Sequence, residues 1–119
     1  VPVYIWRTNQ VLITLRAKDF AFVLEESLSH IFQIIHANRL RVSLIQSSAV
    51  TISVCVDNSR FVARAIEQLQ DAYRVTWNEN LSLLTIRGTT PDILKQEQQG
   101  RDILLSQLTR RTAKLVIKD

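Results

Sequence analysis

The sequence predicts an α+β protein: one β-α-β-β-α-β unit followed by a shorter second copy of the same plan. Three observations lead there. A strand pattern occurs twice, as Leu12-Ile13-Thr14-Leu15-Arg16 and again 71 residues later as Leu83-Leu84-Thr85-Ile86-Arg87. A fixed offset of that kind marks two copies of one supersecondary unit. Between the copies the apolar spacing switches between strand and helix periods in the order such a unit requires. The composition is that of a globular protein, with 46% hydrophobic and 22% charged residues in 119 positions, enough for one compact domain or two very small ones.

Each element has its own signal. Val1-Pro2-Val3-Tyr4-Ile5-Trp6 reads as a short strand with an early proline, and Gln10 to Arg16 as a second, which Lys18-Asp19 interrupts. From Leu24 the period changes: Leu24, Leu28, Ile31, Phe32 and Ile35 fall on one face of a helix, with Glu25 and Glu26 in the first turn, where the helix dipole favours carboxylates. Asn38 suits its C-terminal end. Val42 to Gln46 reads as a strand and Ser47-Ser48 as a turn. Then comes the clearest alternation in the chain: Val50, Ile52, Val54 and Val56 on one side, Thr51, Ser53 and Cys55 on the other, as a half-buried strand demands. Asp57-Asn58-Ser59 supplies a turn and N-cap candidates, and Val62, Ala65, Ile66 and Leu69 return to helical spacing. Tyr73 to Trp77 is a strand, Asn78-Glu79-Asn80 a turn, and Leu81 to Arg87 the repeated strand. This is the split βαβ, ferredoxin-like order, which builds an antiparallel sheet with both helices on one face. Beyond Gly88, Pro91 opens a helix towards Gln99 with Gly100 as a break. Ile103 to Leu108 reads as helical or irregular, and Leu115 to Ile117 as a last short strand. The second copy has only 39 residues, Leu81 to Asp119, too few for a core of its own, so it needs completion by another part of the chain or by a partner.

The chemistry is sparse. The excess charge of +4 gathers partly in the tail, where Lys95, Arg101, Arg110, Arg111, Lys114 and Lys118 face only Glu97, Asp102 and Asp119. A solvated basic surface accounts for this better than a nucleic-acid site, because no aromatics interleave as a stacking platform. The third strand also lacks the aromatics with which RNA-recognition sheets stack bases. His30 and His36 are six apart on a helix and read as lone surface residues, and no metal set is expected. Cys55 reads as a packing residue, and a single cysteine excludes an internal disulfide. With two glycines in the chain, no phosphate loop or dinucleotide fingerprint is present. No apolar run is long enough to span a membrane and no signal-peptide pattern is found. The chain has no methionine even at its start, as expected of a segment from something longer. One polar cluster stands out, at Ser43, Gln46, Ser47 and Ser48. Strand-edge hydroxyls of this kind can hold a small ligand or a neighbouring strand, although a solvated hairpin accounts for them on sequence alone.

Several stretches change that balance. Asn9-Gln10-Val11-Leu12-Ile13-Thr14-Leu15, Ile31-Phe32-Gln33-Ile34, Val42 to Ser53, and Val75 to Ile86 together resemble the tandem ACT-domain region at the C-terminus of aspartate kinases. The resemblance covers most of the chain and includes the repeat. It implies a first ACT unit over 8–79 and a second, degenerate unit over 80–119, with 1–7 as the end of the kinase domain or linker, pairing with the second unit. It implies a regulatory and dimerisation region, without catalytic residues, of an enzyme that phosphorylates aspartate with ATP. ATP and Mg would bind upstream, with no cofactor in this segment. The expected setting is cytoplasmic, with a homodimer through the ACT units, no nucleic acid and no membrane. An inhibitory amino acid, lysine or threonine, would sit between subunits at Glu25, Glu26, Val42, Ser43, Gln46, Ser47 and Ser48. Lysine-sensitive members carry an aspartate where this chain has Ser43, and a glycine-bearing loop where it reads Val23-Leu24-Glu25-Glu26. Weak lysine binding or a different effector is therefore expected. The alternatives are a purely structural dimerisation module and, from another class, a stand-alone enzyme or nucleic-acid binder.

Overall fold

The computed structural model describes residues 1–18 and 24–119, without the side chain of Leu24. Nine elements follow one another: β1 (Val3–Ala17), α1 (Leu24–Ala37), β2 (Val42–Ser47), β3 (Thr51–Asp57), α2 (Val62–Gln70), β4 (Tyr73–Arg87), α3 (Pro91–Gln98), β5 (Ile103–Thr109) and β6 (Thr112–Lys118). The fold is α+β with antiparallel strands, as the sequence predicts. The chain divides into two compact units, Val11–Glu79 and, discontinuously, Val1–Gln10 with Asn80–Asp119. The division falls inside both long strands.

The first unit, Val11–Glu79, has the strand order β2-β3-β1-β4. Its core joins Val11, Ile13 and Leu15 of β1, Ile52, Val54 and Val56 of β3, Ile31 and Ile35 of α1, and Val62, Ala65, Ile66 and Leu69 of α2. Each large apolar side chain buried here contributes about 2 kcal/mol. α1 ends in a Schellman motif: the Arg39 N–H donates to the His36 carbonyl and the Leu40 N–H to the Ile35 carbonyl, both at 3.1 Å. Arg39 holds the left-handed position at φ 56°. Leu40, the next residue, joins the core. Asn38 Nδ2 donates to the Ile34 carbonyl and to Gln68 Oε1, each at 2.8 Å, clipping the end of α1 to α2.

The second unit has the order β1-β4-β6-β5. β4 and β6 pair antiparallel from Leu81↔Lys118 to Arg87↔Thr112. One core cluster joins Leu84, Ile86, Leu115 and Ile117, with Ile93, Leu94 and Ile103 packed against it, and Leu81, Leu83, Ala113 and Val116 are buried as well. α3 is capped by Thr90, whose Oγ1 accepts from the Ile93 N–H at 3.3 Å, with Pro91 in the first turn. Ser82 Oγ lies 2.7 and 2.9 Å from the two carboxylate oxygens of Asp119 and donates to that group. Arg101 stacks on Trp6 at 5.1 Å, and Gly88 lies beside Pro2.

Several sequence expectations change. Val3–Trp6 and Gln10–Arg16 are parts of one 15-residue strand, with Val1 and Pro2 outside it, and Tyr73–Trp77 and Leu81–Arg87 are parts of another. Asn9 at φ 53° and Asn80 at φ 60° explain why turn residues sit inside them: asparagine tolerates the left-handed region, so each strand passes through it without ending. Ile103–Thr109 is a strand, not a helix, held to β6 through Thr109↔Thr112. Phe32 is 43% exposed and so leaves the core face assigned to it, and Val50 lies outside β3 at 60% exposure. Cys55 is buried, in keeping with its reading as a packing residue, and Leu44 lies opposite it in the register. α2 has Phe61 at its N-cap position, with no side-chain cap. Ser59 instead accepts from the Phe61 N–H. His30 is not alone, since its Nδ1 lies 3.1 Å from Tyr73 Oη. The break assigned to Asp19 and the loop reading at Val23 lie outside the described residues.

Candidate effector-binding site

β2 is an outer strand of the first unit, and its side chains set the candidate site. Its pairing with β3 begins at Val42↔Val56, is irregular between Val42 and Leu44, and then runs from Leu44↔Cys55 to Ser47↔Ile52. The irregularity is a β-bulge-like shift centred on Ser43, and such a shift re-aims one side chain out of the alternation. Ser43 Oγ donates to Asp57 Oδ1 at 3.5 Å. The Asp57 N–H donates to the Arg41 carbonyl at 3.0 Å, fixing the end of β3 against the entry to β2.

Ser47 and Ser48 stand at the other end of β2. The Ser48 N–H donates to the Thr51 carbonyl at 2.8 Å, and its Oγ lies 3.4 Å from the same oxygen. The Ser48 hydroxyl therefore closes the hairpin. Gln46 lies opposite Ser53. Glu25 and Glu26 occupy the first turn of α1 and are exposed. They are not brought to Ser43 within one chain. α1 ends at Ala37 and leads directly into β2, so its first turn lies roughly 18 Å along the axis from its end, at 1.5 Å per residue. The predicted residues therefore fall at three places along the chain: Glu25 and Glu26 in the first turn of α1, Val42 and Ser43 at the start of β2, and Ser47 and Ser48 at the hairpin with Gln46 beside them.

The sequence reading missed Asp57. It was assigned to a turn, but it ends β3 with its carboxylate beside Ser43. A carboxylate therefore lies beside Ser43 from across the strand pair. Only the register could have revealed this, because the two residues are 14 apart in sequence.

Two clefts also escaped the sequence. One, of about 390 Å³, lies in the first unit along α2 and β4, with Arg60, Glu67, Trp77 and Glu79 in its lining. The other, of about 270 Å³, lies in the second unit between α3 and the β5–β6 hairpin. Among the described residues no group of His, Cys, Asp and Glu could hold a metal ion, and no helix is long and apolar enough to cross a membrane.

The strand orders of the two units, β2-β3-β1-β4 and β1-β4-β6-β5, define the class as a ferredoxin-like α+β fold. No protein-family model matches the sequence, and no curated protein does. Solved structures do match. A chain described as a C-terminal regulatory domain of aspartate kinase from Porphyromonas gingivalis W83 superposes with a TM-score of 0.85 at 14% identity, over 99% of this chain and 86% of that one. The regulatory subunit of aspartate kinase from Thermus flavus gives 0.71 at 14% identity, over 97% and 86%. Escherichia coli aspartokinase III in complex with lysine and aspartate gives 0.77 at 17% identity, over 97% of this chain and 29% of that enzyme. The fold of this chain is that of aspartate kinase regulatory regions.

Proposed function

We propose that this chain is the regulatory and pairing region of an aspartate kinase, whose catalytic part makes 4-phospho-L-aspartate from ATP and L-aspartate on the route to lysine, threonine and methionine. The observation that carries the reading is the likeness of both units together, over 99% of the chain, to one regulatory domain. On this reading ATP and Mg belong to the catalytic part, the setting is the cytoplasm, and the chain alone turns over no substrate. Two copies pair through their first units along β2, whose outer edge offers backbone groups for a second strand. The half-buried side chains of β2 are suited to such cover.

The effector is an amino acid, lysine or threonine, held near β2 where the copies meet. Ser43 and Asp57 give its ammonium a hydroxyl and a carboxylate, which a buried cation needs, since leaving it unpaired costs several kcal/mol. This changes the expectation from Ser43 alone: lysine is not disfavoured for want of a charge. The exposed Glu25 and Glu26 can reach the same ligand only from a partner copy.

Titration calorimetry with lysine, threonine and methionine, alongside light scattering, tests this. A dimer that binds lysine or threonine, with affinity weakened about tenfold or more in Asp57→Asn, is expected. A dimer that binds none of the three leaves the purely structural module. A monomer at micromolar concentration removes the pairing role.

A further inference from the structure

The cleft of about 270 Å³ in the second unit is bounded on one side by α3 and on the other by the β5–β6 hairpin. Lys95 and Arg110 bring two cations to its wall, and among the described residues no carboxylate lines it. Leu94 and Leu108 line it as well, and Leu108 is 59% exposed. Thr89 and Thr90 add hydroxyls at the start of α3. Two positive charges over an uncovered aliphatic floor fit a small molecule with an anionic head and an apolar body.

The backbone at Arg110 supports the same reading. Arg110 is the first of two residues in the hairpin turn between Thr109 and Thr112, at φ 52°. Two-residue hairpins favour positive φ there, and glycine or asparagine takes it with least strain. Arg39 shares that backbone region, but it closes a helix, whereas Arg110 also faces a cleft. A long cationic side chain kept at a strained turn beside a cavity points to a task for the side chain.

We propose that this cleft binds a small aliphatic carboxylate, with Arg110 and Lys95 on the carboxylate and Leu94 and Leu108 on the chain. The class excludes an amino acid as the preferred ligand, because the lining offers no anion for an ammonium. The site lies in the second unit and does not depend on the effector reading of the first.

The full chain is titrated with 4-methylpentanoate, with its neutral analogue 4-methylpentanamide, with leucine and with inorganic phosphate, following amide shifts by NMR. Saturable shifts at Thr89, Leu94, Lys95 and Arg110 are expected with the carboxylate, on the order of 1 mM. The amide, leucine and phosphate bind at least about tenfold more weakly. Arg110→Gly accepts the turn, so its thermal midpoint stays at or above that of the parent while carboxylate affinity falls about tenfold. Lys95→Gln weakens binding in the same direction. The proposal is overturned if the carboxylate shifts do not saturate, if the amide, leucine or phosphate binds as tightly, or if Arg110→Gly leaves the affinity unchanged.

Discussion

The first unit is continuous from Val11 to Glu79 and sets two helices against its sheet, while the second gathers Val1–Gln10 and Asn80–Asp119 and has α3 as its one helix among the described residues. Both follow an equivalent strand order. The first buries a core that includes residues of both its helices; in the second, Leu84, Ile86, Leu115 and Ile117 form a cluster to which α3 adds only half-buried side chains, and Leu81, Leu83, Ala113 and Val116 are buried besides. The same plan is thus met once by local sequence and once by recruiting a strand from far away. The recruited strand saves chain length but makes the second unit depend on residues some 70 positions distant, which raises the entropy cost of assembling it.

Removing residues 1–8 should break the comparison most strongly. The second unit then loses the strand that neighbours β4, leaving Gly88 without Pro2 and Arg101 without Trp6. Amide exchange at Leu84 and Ile86 should accelerate ~100-fold or more, while Ile52 and Val54 in the first unit keep most of their protection. Equal loss in both units would show that they unfold as one body and that the division has no energetic meaning.

A single core truncation should act next. Leu69 is 1% exposed and belongs to the core of the first unit, so Leu69→Ala should cost about 3 kcal/mol. Ile93 is only half-buried against the smaller cluster, and Ile93→Ala should cost about 1 kcal/mol. Urea unfolding followed by circular dichroism measures both. Equal penalties would mean that the second unit packs as tightly as the first.

The units also differ in how far their sequences disclosed them. In the first, the Ile52–Val54–Val56 alternation and the Val62–Ala65–Ile66–Leu69 stripe each bury one face against the same core, so period alone identified them. Phe32 escaped because burial depends on which neighbours cover a face, and period does not report that. In the second unit, Ile103-Leu104-Leu105 is a run without alternation, and its strand character comes from pairing with β6. Asn78-Glu79-Asn80 looks like a turn because asparagine is common in turns, yet β4 passes through it. At the candidate site, Ser43 was legible through the resemblance, whereas Asp57 became visible only with the cross-strand register. The cleft near Arg110 was not legible at all, since its lining spans Thr89 to Arg110 across a helix and a hairpin.

The smallest effect sharpens the comparison at one backbone position. Arg39 ends α1 at φ 56°, and the Schellman hydrogen bonds from Arg39 and Leu40 are both formed. The bonds use backbone groups, so they survive any side chain. Arg39 is exposed, and glycine occupies this conformation without the Cβ crowding that an L-residue meets. Glycine also loses more chain entropy on folding, which offsets part of the gain. Arg39→Gly should therefore stabilise the protein by about 0.5 kcal/mol, seen as a small rise in the urea midpoint at unchanged slope. Because the helix it ends belongs to the first unit, the added protection should appear at Ile31 and Ile35 and not at Leu84 and Leu115. A destabilised Arg39→Gly would mean that the arginine side chain contributes more than the strain it imposes. That outcome would separate Arg39 from Arg110, where losing the side chain is expected to affect ligand binding and leave stability intact.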